Sequence, residues 1–178
     1  MSDQVITPSF YRALTSTRGL HNLIAGTLLG STLWHGFIGG LVSYKTLPRQ
    51  QFGNLQSKLF PHYFRLQSLG SLALIGLYHR AGKLVKSDRN VIVLAVMAAT
   101  SSLNWIIIGP WTTAVMKKRH RRERIEGKDY NADGVSSEMK ALNSKFGALH
   151  SVSSILNLAF LGGVILATAT SGAYGVGL

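Results

Sequence analysis

His150, Ser154 and Asn157 stand at i, i+4 and i+7. On a helix turning about 100° per residue they fall within about 60° of one another. A hydroxyl and an imidazole on one face invite a Ser–His nucleophile, but that device needs the two groups to meet and a third to orient the ring. One helix does not obviously supply that geometry. Hydrogen bonds between helices are the stronger reading, with the lining of a path for a small solute behind it. His35, Ser101 and Asn104 are further neutral polar groups inside apolar sequence. Cysteine is absent, which excludes disulfides, thiolate metal sites and cysteine nucleophiles. The seven carboxylates (Asp3, Asp88, Glu123, Glu126, Asp129, Asp133, Glu138) all lie outside the apolar stretches. Proton relays and cation-coupled carriers usually hold an acid there, so that chemistry is disfavoured. Asp129 to Gly134 matches the first half of a calcium loop. Position eight is Ser136 and position twelve Lys140, however, so a polar turn is expected. No catalytic, cofactor or metal site is expected.

The elements that must carry these groups follow from the distribution of charge. The 178 residues hold 19 Lys and Arg against 7 Asp and Glu, a net charge of +12, yet Gly19–Tyr44, Asn90–Met116 and Phe146–Leu178 contain none of them. At about 1.5 Å per residue each run exceeds a bilayer core of roughly 30 Å. A soluble helix would place charge on its wet face within two turns. The expectation is an all-α polytopic membrane protein, a four-transmembrane-helix bundle over residues 23–172, with spans at about 23–44, 60–79, 91–109 and 149–170. A segment 1–22 precedes it, a basic loop 110–148 joins the last two spans, and a tail 173–178 follows. The second span requires Arg65 to snorkel to the interface, with Tyr63, Phe64 and Tyr78 as anchors. A re-entrant segment is the alternative there. Gly109-Pro110 is expected to close the third span.

Thirteen basic residues, counting Lys45 and Arg65 at the span ends, fall on the side of the loops after the first and third spans and six on the other, which places loops 46–59 and 110–148 in the cytosol or matrix. The densest run, Lys117-Lys118-Arg119-His120-Arg121-Arg122-Glu123-Arg124, begins directly after a span. Anionic headgroups are therefore its expected contact, together with Arg49 and Lys58. No aromatic residue interleaves it to stack bases, so nucleic acid is not expected as a partner. In the first span Gly26–Gly30 and Gly36–Gly40 form two small-xxx-small pairs within a roughly 120° arc, suited to close helix approach. Packing within this bundle is the preferred use, and packing on a membrane-protein partner or a second copy the alternative.

Three stretches carry a family likeness: LPRQQFGNLQSKLFPHYF at 47–64, NWIIIGPWTTAVM at 104–116 and HSVSSILN at 150–157. In this order and layout they resemble the transmembrane protein 205 family of eukaryotic membrane proteins. The matches include Leu47-Pro48-Arg49, Phe52-Gly53, the run Gln56 to Pro61, Asn104, Pro110, Thr112, Thr113, Met116, His150 and Asn157. The resemblance implies a four-helix membrane fold and an endomembrane location such as the endoplasmic reticulum, with the mitochondrial inner membrane second. It implies no established reaction or cofactor. Pro48 and Pro61 are expected to break helix before each of them. Between them Phe52, Leu55 and Leu59 form an amphipathic turn suited to the headgroup layer.

The expected function is that of an integral membrane interaction protein, a scaffold or accessory subunit without chemistry. The alternative is a small-solute transporter or channel acting as an oligomer, because four spans give a thin pathway and no internal repeat is visible.

Overall fold

The structure, a computed structural model, describes residues 10–83 and 88–174. Lys86, residues 1–9 and residues 175–178 of the expected tail lie outside them. Among the described residues every element is helical. Helix α1 (Phe10–Thr15) passes into α2 (Thr17–Leu33) through Ser16, whose hydroxyl accepts from the Gly19 amide at 3.0 Å and caps the new helix. A wide π turn, Trp34–Gly39, joins α2 to α3 (Gly40–Thr46). There Leu47 is extended (φ −98°, ψ 142°), the conformation Pro48 demands of its predecessor. Helix α4 (Arg49–Arg80) runs for 32 residues. Helix α5 (Arg89–Leu103) is capped by Asp88, and a second π turn, Asn104–Ile108, leads into α6 (Gly109–Glu126). Helix α7 (Ser137–Tyr174) closes the fold with 38 residues.

Three expectations about breaks are corrected. Phe60 is helical and Pro61 sits inside α4. The proline cannot donate to the Ser57 carbonyl, a loss that the packing of α4 against its neighbours makes tolerable. Gly109-Pro110 does not close the third helix either, because the π turn sends the Gly109 amide back five residues to the Asn104 carbonyl. The wider turn accommodates a following residue that has no N–H. The segment 110–148 is consequently no loop. It is α6, a turn, and the first part of α7, and Gly127 ends α6 in the left-handed region at φ 62°.

Helix α4 packs on α5, α5 on α7, α6 on α7, and α2 on both α4 and α7. Their shared core holds Leu28, Leu74, Tyr78, Leu94, Met97, Phe160 and Val164. Close approach is made by glycines other than those expected. A Cβ on Gly70 would lie 2.7 Å from Leu28 Cδ2, and one on Gly163 2.6 Å from Met97 Cγ. At Gly26, Gly30 and Gly36 a Cβ would meet nothing within 4 Å, and at Gly40 only the carbonyl of His35 on the same helix. Gly26 and Gly30 face open space and Gly36 and Gly40 border a cavity, so none of the four makes the close helix approach expected of them within the bundle.

Among the described residues two continuous helices, Arg89–Glu126 and Ser137–Gly172, are long and apolar enough to cross a membrane, with 18-residue stretches of mean hydropathy 2.2 and 1.9. The outer surface carries Trp34, Phe37, Leu69, Ile106, Ile155 and Leu158, each more than half exposed. Such a coat suits lipid better than water.

Candidate functional site

One face of α4 organises the interior. Gln56, Phe60, Tyr63, Gln67, Leu74 and Tyr78 recur at i, i+4, i+7, i+11, i+18 and i+22, which at about 100° per residue is a single stripe. All but Phe60 are buried. In its middle the stripe is polar. Gln67 Nε2 donates to Thr32 Oγ1 of α2 at 3.2 Å and to Asn157 Oδ1 of α7 at 3.1 Å, and the Tyr63 hydroxyl donates to the same Asn157 oxygen at 3.1 Å. Ser68 and Ser102 share a 2.6 Å hydroxyl–hydroxyl bond from α4 to α5. Asn104 Nδ2 donates to the Ser153 carbonyl at 3.1 Å. Where no water competes, such bonds tie helices together at roughly 0.6–2 kcal/mol each.

Toward the basic end of the bundle this network borders a cavity of about 480 Å³. Its polar lining comes from His35, Gln56, Ser57, Thr112, Thr113, His150 and Asn157, and its apolar lining from Leu41, Phe52, Phe60, Met116 and Phe146. No Lys, Arg, Asp or Glu lines it. The His35 ring packs edge-on to Phe60, with centroids 5.0 Å apart, and tilted over Tyr63 at 4.6 Å. The Nε2 of His35 and both amide atoms of Gln56 are buried without a hydrogen-bond partner. All three of the sequence stretches that carry the family likeness contribute to this wall: Phe52, Gly53, Gln56, Ser57 and Phe60 from the first, Thr112, Thr113 and Met116 from the second, His150 and Asn157 from the third.

Beyond the cavity α6 sorts the basic run by direction. Glu123, 4% exposed, accepts from the Arg49 guanidinium, from Gln50 Nε2 at 2.9 Å and from the Tyr130 amide at 2.9 Å. Arg119 is buried. Its Nε donates to Asn143 Oδ1 at 2.9 Å, and its guanidinium lies 4.4 Å from both the Tyr130 and Phe146 ring centres. Arg122 bonds Glu126 at 2.6 Å and Glu138 at 2.9 Å. Burial lowers the pKa of His120, and Arg49, Arg119 and Arg124 lower it further. The Ser136 hydroxyl, donating to Glu126, holds that carboxyl below its usual range. The calcium-like segment is a turn pinned by Glu123 and by Asn143 Nδ2, which donates to the Tyr130 carbonyl at 2.7 Å. Among the described residues no His, Asp or Glu cluster is placed to hold a metal.

The expected residues therefore divide. Asn157 faces the interior, His150 lines the cavity stacked on Phe146, and Ser154 is exposed, so the three do not act as one polar stripe. His35 lines the cavity, and Asn104 ties the second π turn to α7. Lys58, Lys117, Lys118, Arg121 and Arg124 are exposed, whereas Arg49 and Arg122 are engaged by carboxylates. The headgroup contact expected of Arg119 is closed to it, because its guanidinium is enclosed by protein groups. Gln56, Gln67 and Thr32 escaped the sequence reading, although the 11-residue spacing of the two glutamines on an otherwise apolar face was available to it.

Comparison with known proteins agrees with this architecture. Transmembrane protein 205 of Danio rerio is 29% identical over 157 residues, covering 78% of this chain and 82% of that protein. Xanthocillin biosynthesis cluster protein D of Aspergillus fumigatus is 30% identical over 87 residues, 47% of this chain and 55% of that protein. No solved structure matches. Residues 23–121 match a family model described as a domain of unknown function, DUF4149. The chain is thus an integral membrane protein, transmembrane protein 205-like, and belongs to the DUF4149 family.

Proposed function

We propose that this protein is a four-span accessory subunit or scaffold of a membrane assembly, which acts by docking a helix of a partner membrane protein and carries no reaction of its own. One observation carries the reading: the outer face of α2 at Gly26 and Gly30 is open. Glycine inside a helix costs about 1 kcal/mol against alanine, and it offers lipid no side chain. The fold recovers none of that cost at these two positions. A partner helix would, because small residues let backbones approach closely. With spans at about 23–44, 60–79, 91–109 and 149–170, the excess of basic residues after the first and third favours a cytosolic or matrix side for the basic end of α6. There Lys58, Lys117, Lys118, Arg121 and Arg124 are exposed to anionic headgroups. The endoplasmic reticulum membrane is the proposed location and the mitochondrial inner membrane the second.

The test is extraction in gentle detergent followed by sizing and mass spectrometry. A stoichiometric partner protein should travel with the chain and be lost in Gly26→Leu and Gly30→Leu while the unfolding temperature of the chain holds. A bare monomer, or a partner retained by both variants, refutes the docking face; a pure homo-oligomer makes the occupant a second copy. The second reading, a small-solute pathway acting as an oligomer, is favoured by the polar-lined cavity between α3, α4, α6 and α7.

A further inference from the structure

We infer that the cavity beside Gln56 is a binding site for a neutral amphipathic molecule whose head both donates and accepts hydrogen bonds, such as a primary amide or an alcohol. The inference deepens the second reading above and does not depend on the glycine face. Its volume of about 480 Å³ lies within the roughly 300–1,000 Å³ of small-molecule sites. Like those sites it joins an apolar wall to a few convergent polar groups.

The polar groups specify the head. Gln56 is 7% exposed, and neither its Nε2 nor its Oε1 has a partner among the described residues. A buried amide with both ends unpaired is costly, and it differs from Gln67, whose Nε2 is paired with Thr32 and Asn157 and whose Oε1 alone is left over. His35 Nε2 is likewise unpartnered, while its ring is held by Phe60 and Tyr63 and cannot swing freely to find one. Donor and acceptor capacity therefore converge on one wall. A hydroxyl or carboxamide head matches both, and a hydrocarbon matches neither. The absence of any Lys, Arg, Asp or Glu in the lining excludes a fixed charge on the ligand, because a buried unpaired ion is unstable in such surroundings. The apolar half, with Phe52 and Met116 on its walls, takes the tail.

Gly36 supplies a clean probe. It lines the cavity, and a Cβ there meets nothing within 4 Å, so the backbone tolerates Gly36→Leu and the added side chain competes with a ligand for the space beside it. The full chain would be placed in phosphatidylcholine nanodiscs with dodecanamide carrying a diazirine at its chain end, and the crosslinks mapped by mass spectrometry. Expected are crosslinks within 52–60 and 112–116, displaced by dodecanamide and not by dodecane or dodecylammonium. Gly36→Leu should abolish them, and Gln56→Leu should weaken them about tenfold, the loss of one or two neutral hydrogen bonds. Crosslinks that both variants leave unchanged, or that dodecane displaces equally, overturn the site. If Gly36→Leu fails to fold, Gln56→Leu decides alone. Mass spectrometry of lipid released from the purified protein separates a resident bilayer lipid with such a head from a free solute. Specific crosslinking without dodecanamide flux in proteoliposomes upholds the site and removes the transport reading.

Discussion

The contrast between Gly163 and Gly26 gives the sharpest test of the packing. Both are helical glycines in apolar sequence, and nothing in their immediate neighbours distinguishes them. At Gly163 a Cβ would stand 2.6 Å from Met97 Cγ and 3.3 Å from its sulfur, against an ordinary contact of about 3.5–4.0 Å. Met97 is 0% exposed within the core shared by α2, α4, α5 and α7, so it has nowhere to retreat. Gly163→Leu gains about 1 kcal/mol of helix propensity and loses about 3 kcal/mol to overpacking, the upper end of the usual range. The net loss is about 2 kcal/mol. Gly26→Leu meets nothing and keeps the gain of about 1 kcal/mol. The two variants should differ by about 3 kcal/mol, or roughly 6–12 °C in unfolding temperature. Thermal unfolding in one detergent, followed by tryptophan fluorescence, measures that gap. Equal unfolding temperatures for the two variants, or wild-type stability for Gly163→Leu, would refute the assignment of inner and outer glycines.

Three further outcomes follow from the polar groups. Asn157→Leu strands the Tyr63 hydroxyl and one bond of Gln67 Nε2, so it should cost about 1–3 kcal/mol; Tyr63→Phe should cost less, and thermal unfolding of the double variant should show the two to be non-additive. His120 is buried with a pKa below 6.5, so the unfolded chain binds the proton more readily. Its contribution is complete above about pH 6.5 and is lost as the pH falls through that value toward the folded pKa; His120→Gln should flatten the unfolding temperature between pH 7.5 and 5.5. Replacing Lys117, Lys118, Arg121 and Arg124 by Gln should weaken binding to anionic vesicles by up to about 1 kcal/mol per residue at unchanged stability. Arg119→Gln should do the reverse, lowering stability while leaving vesicle affinity in place, which cosedimentation and thermal unfolding read separately.

The all-helical architecture and the membrane were legible in the sequence because they depend on local quantities: the length of uncharged runs and the rise per residue. Helix breaks were less so. Pro48 ends a helix as its type suggests, whereas Pro61 and Pro110 do not, because a π turn before Pro110 and neighbouring helices around Pro61 absorb the missing amide. The site was half visible. Asn157, His150 and His35 stood out as polar groups in apolar sequence, whereas Gln56 and Thr112 entered only through the family likeness and Gln67 lay unmarked in the expected second span. Only once α4 proves continuous from Arg49 to Arg80 do Gln56 and Gln67 fall on the same inward stripe.

What the sequence determined by itself is what each residue carries with it: apolar length, net positive charge, the absence of cysteine, and carboxylates kept outside the apolar stretches. What only the tertiary structure decided is direction. Whether a glycine meets Met97 or open space, and whether an arginine of one basic run faces lipid or lies between Tyr130 and Phe146, depends on helix rotation about its own axis. That rotation is set jointly by the packing of four helices and by two π turns, each of which shifts every face that follows it. No local window of sequence contains that information, because the partners of each residue lie tens of positions away.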